Sequence, residues 1–445
     1  MIKNNHKISS AACWAALACL VVPMFGSYFF DDMFSSVSHL FKTPEFLELG
    51  WNSADLGNFI GDYSLLCVCG GLIVGGILLD IFGIRIMGSI FVGMMVLGAA
   101  LACFGVAGGL PKASAIAVGR VGRMMFGLGS EIAGVAVTRS IAKWFKEGNM
   151  SLAMGLQLAI ARAGTALALI AAPFIVGVPK QYYSLSDTAR PAVVGLVLLL
   201  AGAVVWAVFV VLDARKDRVE GVEFSRGTVS GEDSFSFRDI LSLLRNPRFV
   251  MIGLLCVSFY CCVSSFKKFG TSVVIPRFGI EDSVAGTMVA MIPFFTIVFT
   301  PLFGALVDRT GKAASWMIAG SAAVLAGHLV IAFAPLGAPV FGYIGIGLLG
   351  MGYSLVPSAM WPSVPRIVPE KNLGTAYSLI YWIQNVGLFF VPKIVGKIFN
   401  RPQLSELEAV ARVEWLFVSL GCFAVLVAVA FRMANRQKDL RQGQC

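Results

Sequence analysis

Charged residues are scarce in this chain, and the shortage excludes a water-soluble globular fold. Only 13% of the 445 residues are Asp, Glu, Lys or Arg and 57% are hydrophobic, whereas about a quarter of a soluble domain is charged. The apolar residues form long runs, and about 20 apolar residues in a helix cross the ~30 Å hydrocarbon core of a bilayer. We therefore expect an all-α integral membrane protein.

Motifs of the common enzyme classes are missing as well. The chain has no Gly-x-x-x-x-Gly-Lys-Ser/Thr loop for phosphate, no Ser-His-Asp set and no cluster of metal ligands. All cysteines except Cys445 lie in apolar runs, which favours packing over disulfides or metal binding. We expect a protein that is not an enzyme and needs no cofactor. Any transport by it would be driven by solute gradients rather than by ATP.

Apolar sequence in runs of about 20 residues or more is abundant. Twelve such runs predict twelve transmembrane helices, at 9–33, 56–79, 86–107, 116–142, 150–178, 191–212, 248–275, 284–307, 314–335, 338–363, 373–399 and 412–432. The first run is too long for a cleavable signal peptide. A polar stretch divides the runs six and six. We therefore predict an N-terminal half at 1–212, a cytoplasmic linker at 213–247 and a C-terminal half with a short tail at 248–445.

The net charge of +10 does not indicate nucleic-acid binding, because the basic residues gather in alternate loops, on the side of the N-terminus. This bias predicts that both termini are cytoplasmic. The tail before the first run lacks an acidic dileucine sorting signal, and no Asn-x-Ser/Thr acceptor lies in a predicted external loop. We therefore expect a bacterial inner membrane. We also expect a monomer, and the question of an accessory subunit stays open.

An internal repeat supports the division into halves. The stretch from Gly76 to Gly83 aligns with the stretch from Gly304 to Gly311 at a constant offset of 228 residues, and each copy follows the second run of its half. These turns resemble the signature of the major facilitator superfamily, although Ile81 stands where an Arg is usual. The resemblance implies two six-helix halves related by a pseudo-two-fold axis. It also implies that turn residues lock the closed cytoplasmic end; they are Asp80, Gly83, Arg85, Asp308, Arg309, Gly311 and Lys312.

Two opposite charges fall near the middle of neighbouring runs. Glu131 lies about 15 residues, or roughly 22 Å, along the fourth run, and Arg162 about 13 residues, or roughly 20 Å, along the fifth. Ionisable groups at that depth are costly unless paired or facing a wet cavity, and so indicate a functional site. Together they can receive the ammonium and the carboxylate of a zwitterion. The alternative is a Glu131–Arg162 ion pair that only holds two helices together.

Several longer stretches are more distinctive than the turn signature. They lie at 26–29, 122–131, 144–146, 155–164, 361–362, 373–377 and 383–388. These stretches resemble the lysosomal dipeptide transporter branch of the superfamily. The resemblance implies a uniporter of dipeptides in which Glu131 clamps the amino terminus of the peptide and Arg162 its carboxyl terminus.

Further polar and aromatic residues are candidates to line the site. They are Tyr28, Gln157, Tyr260, Trp361, Tyr381, Gln384 and Asn385. Each also has a structural interpretation, as an anchor at the membrane interface or a contact between helices.

The sequence leaves the roles of the other ionisable residues in the apolar runs open. Asp31 and Asp32 lie at the outer part of the first run, and one of them is compatible with the start of the external loop. Lys267 either faces the cavity or reaches the outer interface together with Lys268. Arg120 and Arg123 are expected to snorkel or to brace neighbouring helices. His328 stands alone in the ninth run and does not suggest a proton relay.

Three functions are compatible with these features. The first is facilitated transport of dipeptides. The second is proton-coupled symport of another small zwitterion or of an organic anion, and an anion carrier would need Arg162 but gain nothing from Glu131. The third is a membrane sensor or scaffold that keeps the fold without transporting, although neither the linker nor the tail is long enough for an added sensor domain.

Overall fold

The computed structural model describes residues 9–42, 51–107, 109–145, 149–177, 185–220, 237–369 and 373–442. All regular elements in these ranges are helices. The α-helices are α1 Ser10–Asp32, α2 Ser53–Asp62, α3 Leu72–Val106, α4 Lys112–Trp144, α5 Met150–Val176, α6 Leu185–Glu220, α7 Phe237–Leu244, α8 Pro247–Phe278, α9 Asp282–Thr310, α10 Ala313–Phe333, α11 Pro339–Met360, α12 Leu373–Phe399 and α13 Glu406–Gln442. Ser35–Lys42 and Trp361–Arg366 are 3-10 helical, and Cys67–Gly71 is π-helical.

In the described part of the chain, the helices provide eleven or twelve candidate membrane spans. Eleven segments of the described residues are long and apolar enough to span a bilayer. The second span combines α2, the π-helical segment and the start of α3, and the third is the rest of α3 beyond the bend at Gly83. The remaining span is α4, whose 33 residues include the polar side chains of Arg120, Arg123 and Glu131. The prediction of an all-α, multi-pass membrane protein is confirmed.

One helix is longer than its apolar run predicts. α6 continues from the predicted end at 212 to Glu220, because its last turns find ionic partners at the edge of the bundle. Asp213 accepts hydrogen bonds from Lys143 at 2.8 and 2.9 Å and from the indole of Trp144 at 2.9 Å. Asp217 accepts one from Arg85 at 2.8 Å. The stretch predicted as a linker therefore begins and ends in helix, since α7 also lies within it.

The six spans of α1–α6 form the N-terminal half and those of α8–α13 the C-terminal half. We call the end of the bundle at which α1 begins the terminal end, and the opposite one the far end. The halves meet where α2 packs on α12, α5 on α9, and Ser35–Lys42 on α8. At the far end the backbones approach so closely that a Cβ on Gly57 would lie 2.6 Å from the Pro392 carbonyl oxygen. The two halves are therefore packed together at the far end.

The repeated turns both depend on glycine. Gly83 has φ 79° and Gly311 has φ 65°, values that side chains with a Cβ rarely adopt. Arg85 is bound within its own half, to Asp217. In the second turn Asp308, Arg309 and Lys312 are exposed at the terminal end. The side chain of Asp80 lies outside the described part of the structure, and a locking role for these turns stays a prediction.

Candidate binding site between the two halves

Glu131 lies inside the N-terminal half, about 20 Å from the terminal end of α4 by its 13-residue separation from Trp144. Its Oε1 accepts a hydrogen bond from the Tyr63 hydroxyl at 3.0 Å. The same hydroxyl lies 3.3 Å from the hydroxyl of Ser130, which in turn is 2.5 Å from that of Ser27. Glu131 is half-buried, and its Oε2 has no hydrogen-bond partner among the described residues. One carboxylate oxygen is thus held and the other is free.

Arg162 lies at a similar height, about 18 Å from the start of α5. Its Nη1 donates to the hydroxyl of Tyr353 on α11 at 3.2 Å, and its guanidinium lies 5.0 Å from the centre of that ring. The Tyr353 hydroxyl is also 3.1 Å from that of Ser264 on α8. Arg162 is half-buried. It therefore reaches from the N-terminal half to a tyrosine of the C-terminal half and keeps other donors available.

The two charges do not neutralise each other. In the described part of the chain, no ion pair joins Glu131 to Arg162, and each is instead bound to a tyrosine. Tyr28 of α1 lies near both. The internal ion pair that the sequence left open as an alternative is therefore not what holds these side chains in place. A negative and a positive group thus lie at the interface between the halves, because Arg162 contacts Tyr353 and Glu131 lies near Tyr381, both in the C-terminal half.

Aromatic residues of the C-terminal half form a wall on the side towards the terminal end. The rings of Trp361 and Tyr381 stack at 5.0 Å, and Trp361 donates to the Tyr260 hydroxyl at 3.4 Å. Tyr260 packs edge-on against Tyr353 at 5.8 Å. Tyr381 remains 43% exposed. The structure therefore connects three of the predicted lining residues with the tyrosine that binds Arg162.

The predicted amide residues are placed differently from one another. Gln384 accepts a weak hydrogen bond from the thiol of Cys256 at 3.4 Å, and its side chain is half-buried. Asn385 is buried and donates to the Tyr381 carbonyl at 3.1 Å, while its own Oδ1 has no partner among the described residues. Gln157 is half-buried on α5. Gln384 and Gln157 are thus partly accessible, whereas the Asn385 side chain is buried and bonded within α12.

The charges near the far end pair across the halves. Asp32 binds Lys267 at 2.7 Å and Lys268 at 2.8 Å, and accepts from the Thr165 hydroxyl at 2.7 Å. Asp31 binds Lys268 at 2.6 Å. Lys267 is therefore buried between the halves rather than reaching the outer interface.

Two arginines of α4 bind carboxylates of neighbouring helices within the N-terminal half. Arg123 binds Asp31, and Arg120 binds Asp62. Asp62 also binds Lys393 of α12. The expectation that the arginines brace neighbouring helices, rather than line the site, agrees with these contacts.

His328 is not isolated, contrary to the prediction from the sequence. Its Nδ1 lies 2.9 Å from a carboxylate oxygen of Glu414 on α13, and both side chains are buried within the C-terminal half. The ring stacks on Phe417 at 5.1 Å. The pair was missed because the partners lie 86 residues apart on different helices.

Tyr63 and Tyr353 are the polar contacts of the two charges, and neither was singled out from the sequence. A buried tyrosine usually finds a hydrogen-bond partner. A tyrosine inside an apolar run is therefore the sequence signal that could have identified both residues.

The fold and this arrangement define a class of membrane transporter. A profile of the Major Facilitator Superfamily matches residues 24–392. The chain therefore belongs to the major facilitator superfamily and is a transporter of that class, as its turn signature predicted.

Curated relatives come from one branch of the superfamily. The chain is 28% identical over 427 residues to the lysosomal dipeptide transporter MFSD1 of Danio rerio, covering 93% of this chain and 85% of the relative. It is 29% identical to MFSD1 of Homo sapiens, with 81% and 74% covered, and 30% identical to that of Bos taurus, also with 81% and 74% covered. The resemblance to this branch, expected from the distinctive stretches, is confirmed.

Solved structures agree on the fold. A D-xylose–proton symporter superposes with a TM-score of 0.71 at 15% identity, covering 95% of this chain and 97% of that one. The POT family transporter PepTSo superposes with a TM-score of 0.69 at 14% identity, covering 98% and 99%. At these identities the likeness is one of fold.

Proposed function

We propose that this protein carries dipeptides across its membrane, with Glu131 receiving the peptide ammonium and Arg162 the peptide carboxylate. One observation carries the proposal: two opposite, half-buried charges face the interface between halves without pairing to each other. Each is held on one side by a tyrosine, at 3.0 and 3.2 Å, and keeps polar atoms available on the other. The curated relatives named as dipeptide transporters support the choice of substrate.

The choice of a zwitterion follows from charge balance. Burying an unpaired carboxylate or guanidinium costs several kcal/mol, so each pole favours a ligand group of opposite sign. A guanidinium binds a carboxylate through two parallel hydrogen bonds, and an ammonium suits a single accessible carboxylate oxygen. A simple anion would pair with Arg162, but it would leave the negative charge of Glu131 without a partner of opposite sign. The aromatic wall of Trp361 and Tyr381 offers apolar area for peptide side chains.

Movement of the substrate would follow from rocking of the two halves about this midplane site. In the present structure the halves are packed together at the far end, so the site would communicate with the terminal end. With both termini in the cytoplasm, this state faces inward. The turn residues around Gly83 and Gly311 would then form contacts when the terminal end closes, and a bacterial inner membrane would house the protein.

Facilitated diffusion is the mode we propose, and proton-coupled symport is the second candidate. The observation that favours the second is the setting of Glu131, which has no cationic partner among the described residues and can therefore hold a proton when no ammonium is present. A dipeptide gradient at equal pH would drive uptake in both cases. Accumulation against a dipeptide gradient, driven by an imposed pH gradient, would occur only in the second.

The two-pole assignment is tested with end-blocked peptides in proteoliposomes. We expect uptake of a free dipeptide, and at least tenfold weaker uptake of its N-acetylated and its C-amidated forms, because each lacks the charge that one pole requires. Glu131→Gln should lose the preference for a free amino terminus, and Arg162→Ala the preference for a free carboxyl terminus. Normal transport by both variants would overturn the proposal.

A further inference from the structure

Tyr63 stands at a break in the second span. α2 ends at Asp62, Tyr63 is its C-terminal cap, and the chain continues through the π-helical segment Cys67–Gly71 before α3 begins. At this break the backbone of Tyr63 lies against α4, where a Cβ on Gly127 would come 2.0 Å from the Tyr63 carbonyl oxygen. Only glycine at this position of α4 permits the contact. The backbone that carries Tyr63 is therefore fixed against the helix that carries Glu131.

The hydroxyl of Tyr63 is directed at Glu131. It donates to Oε1 at 3.0 Å and lies 3.3 Å from the Ser130 hydroxyl. No other hydrogen bond to the Glu131 side chain occurs among the described residues. The orientation of this carboxylate therefore depends on a single phenol.

The ring of Tyr63 is held from behind by a buried cation. The guanidinium of Arg123, which is 1% exposed, lies 5.1 Å from the Tyr63 ring centre and 5.2 Å from that of Phe59. Phe126 packs edge-on against the Tyr63 ring at 5.9 Å. Arg123 itself binds Asp31, which binds Lys268 of the other half at 2.6 Å. Contacts with Arg123 and Phe126 thus leave the Tyr63 ring little freedom to turn.

We infer that Tyr63 is a positioning residue that selects for a free peptide amino terminus. The inference rests on the proposed function. By occupying Oε1, the phenol holds the carboxylate in one orientation and leaves Oε2 of Glu131 available to the ammonium of a peptide bound between the halves. A carboxylate without this tether would rotate among several orientations, and binding would then carry the cost of ordering it. Tyr63 therefore acts through Glu131 and does not itself contact the peptide.

The test is Tyr63→Phe, which keeps the ring on Arg123 and removes only the hydroxyl. Uptake by proteoliposomes of a free dipeptide is compared with uptake of its N-acetylated form, at several concentrations. We expect KM for the free dipeptide to rise about tenfold, the size of one hydrogen bond to a charged group, and KM for the acetylated form to stay unchanged. The ratio of the two constants separates positioning from general damage, because a misfolded carrier would lose both substrates equally.

Two further variants make the result decisive. Tyr343→Phe removes a hydroxyl from a tyrosine that is 41% exposed on α11, away from the site, and should leave both constants as in the native protein. In the double variant Tyr63→Phe/Glu131→Gln, the discrimination should fall no further than in Glu131→Gln alone, since one residue acts through the other.

The outcomes distinguish this inference from the function on which it rests. If native protein takes up no dipeptide, the proposed function fails. If native protein and Glu131→Gln behave as proposed but Tyr63→Phe discriminates as the native protein does, the positioning role is wrong and the function stands. Additive losses in the double variant would likewise overturn the inference.

Discussion

Both ends of the helix bundle contain ion pairs between aspartates and basic residues, but the pairs join different parts of the molecule. At the far end, aspartates of the N-terminal half bind lysines of the C-terminal half: Asp32 with Lys267 at 2.7 Å, Asp31 with Lys268 at 2.6 Å, and Asp62 with Lys393. At the terminal end, the ion pairs whose partners are both described lie within one half.

The terminal pairs join α6 to its neighbours. Asp213 binds Lys143 at 2.8 Å, and Asp217 binds Arg85 at 2.8 Å. Such pairs stabilise the N-terminal half whether or not the halves touch. The far-end pairs exist only while the halves touch, so their free energy bears on the equilibrium between conformations. Whether an ion pair stabilises one half or shifts the equilibrium between conformations therefore depends on whether it crosses the interface between the halves, and not on the number of ion pairs.

The largest effect is expected from removing one far-end carboxylate. Asp32→Asn leaves Lys267 and Lys268 buried at 6% and 8% exposure with less negative charge nearby. Loss of one partner from a buried ion pair costs about 3 kcal/mol, and the cost falls only on the state in which the far end is closed. The closed state should lose about a hundredfold in population relative to the open one.

A cysteine at Ser38 reports this change. Ser38 is buried at the far end, where its hydroxyl lies 3.0 and 2.9 Å from those of Thr271 and Ser272 of the other half. Asp32→Asn should greatly accelerate labelling of Ser38→Cys by a membrane-impermeant maleimide. The matched control is Asp213→Asn, an equally buried carboxylate bound within one half, which should lower the melting temperature without changing the labelling rate. Equal acceleration by both variants would contradict the comparison.

An intermediate effect is expected from a single methyl group at the far end. A Cβ on Gly57 would meet the Pro392 carbonyl oxygen at 2.6 Å and the Cα of Gly396 at 2.9 Å, both in the other half. Overpacking of this kind costs about 1–3 kcal/mol. Gly57→Ala should therefore raise the labelling rate of Ser38→Cys by about tenfold.

The same span provides the control for that methyl group. Gly76 lies nearer the terminal end, and a Cβ there would have no neighbour within 4 Å. Gly76→Ala should leave the labelling rate unchanged and stabilise the helix slightly, by up to ~1 kcal/mol. A larger response at Gly76 than at Gly57 would mean that helix propensity, and not contact between the halves, limits opening.

How much of this was predictable from the sequence depends on the range of the interaction. Spans follow from hydropathy within about 20 neighbouring residues, and Glu131 and Arg162 stood out because ionisable groups are rare at bilayer depth. The internal repeat, at an offset of 228 residues, indicated the division into two halves. The Asp32–Lys267 pair joins residues 235 apart, and no local pattern shows which aspartate meets which lysine. The contact of Tyr63 with Glu131 could not be predicted, because it depends on a break in the second span that places Tyr63 against α4.

The smallest effect is expected from the exposed ion pair at the rim of the same interface. Lys42 lies 3.4 Å from Glu406, whose side chain is 56% exposed, and also donates to the Ser272 carbonyl at 3.3 Å and lies over the Phe399 ring at 3.9 Å. Water screens such a pair, so it contributes at most about 1 kcal/mol. Glu406→Gln should change the labelling rate of Ser38→Cys less than fivefold, and salt should abolish the difference. A response as large as that of Asp32→Asn would show that the rim, and not the buried aspartates, holds the far end closed, because the two pairs differ in burial while both cross the halves.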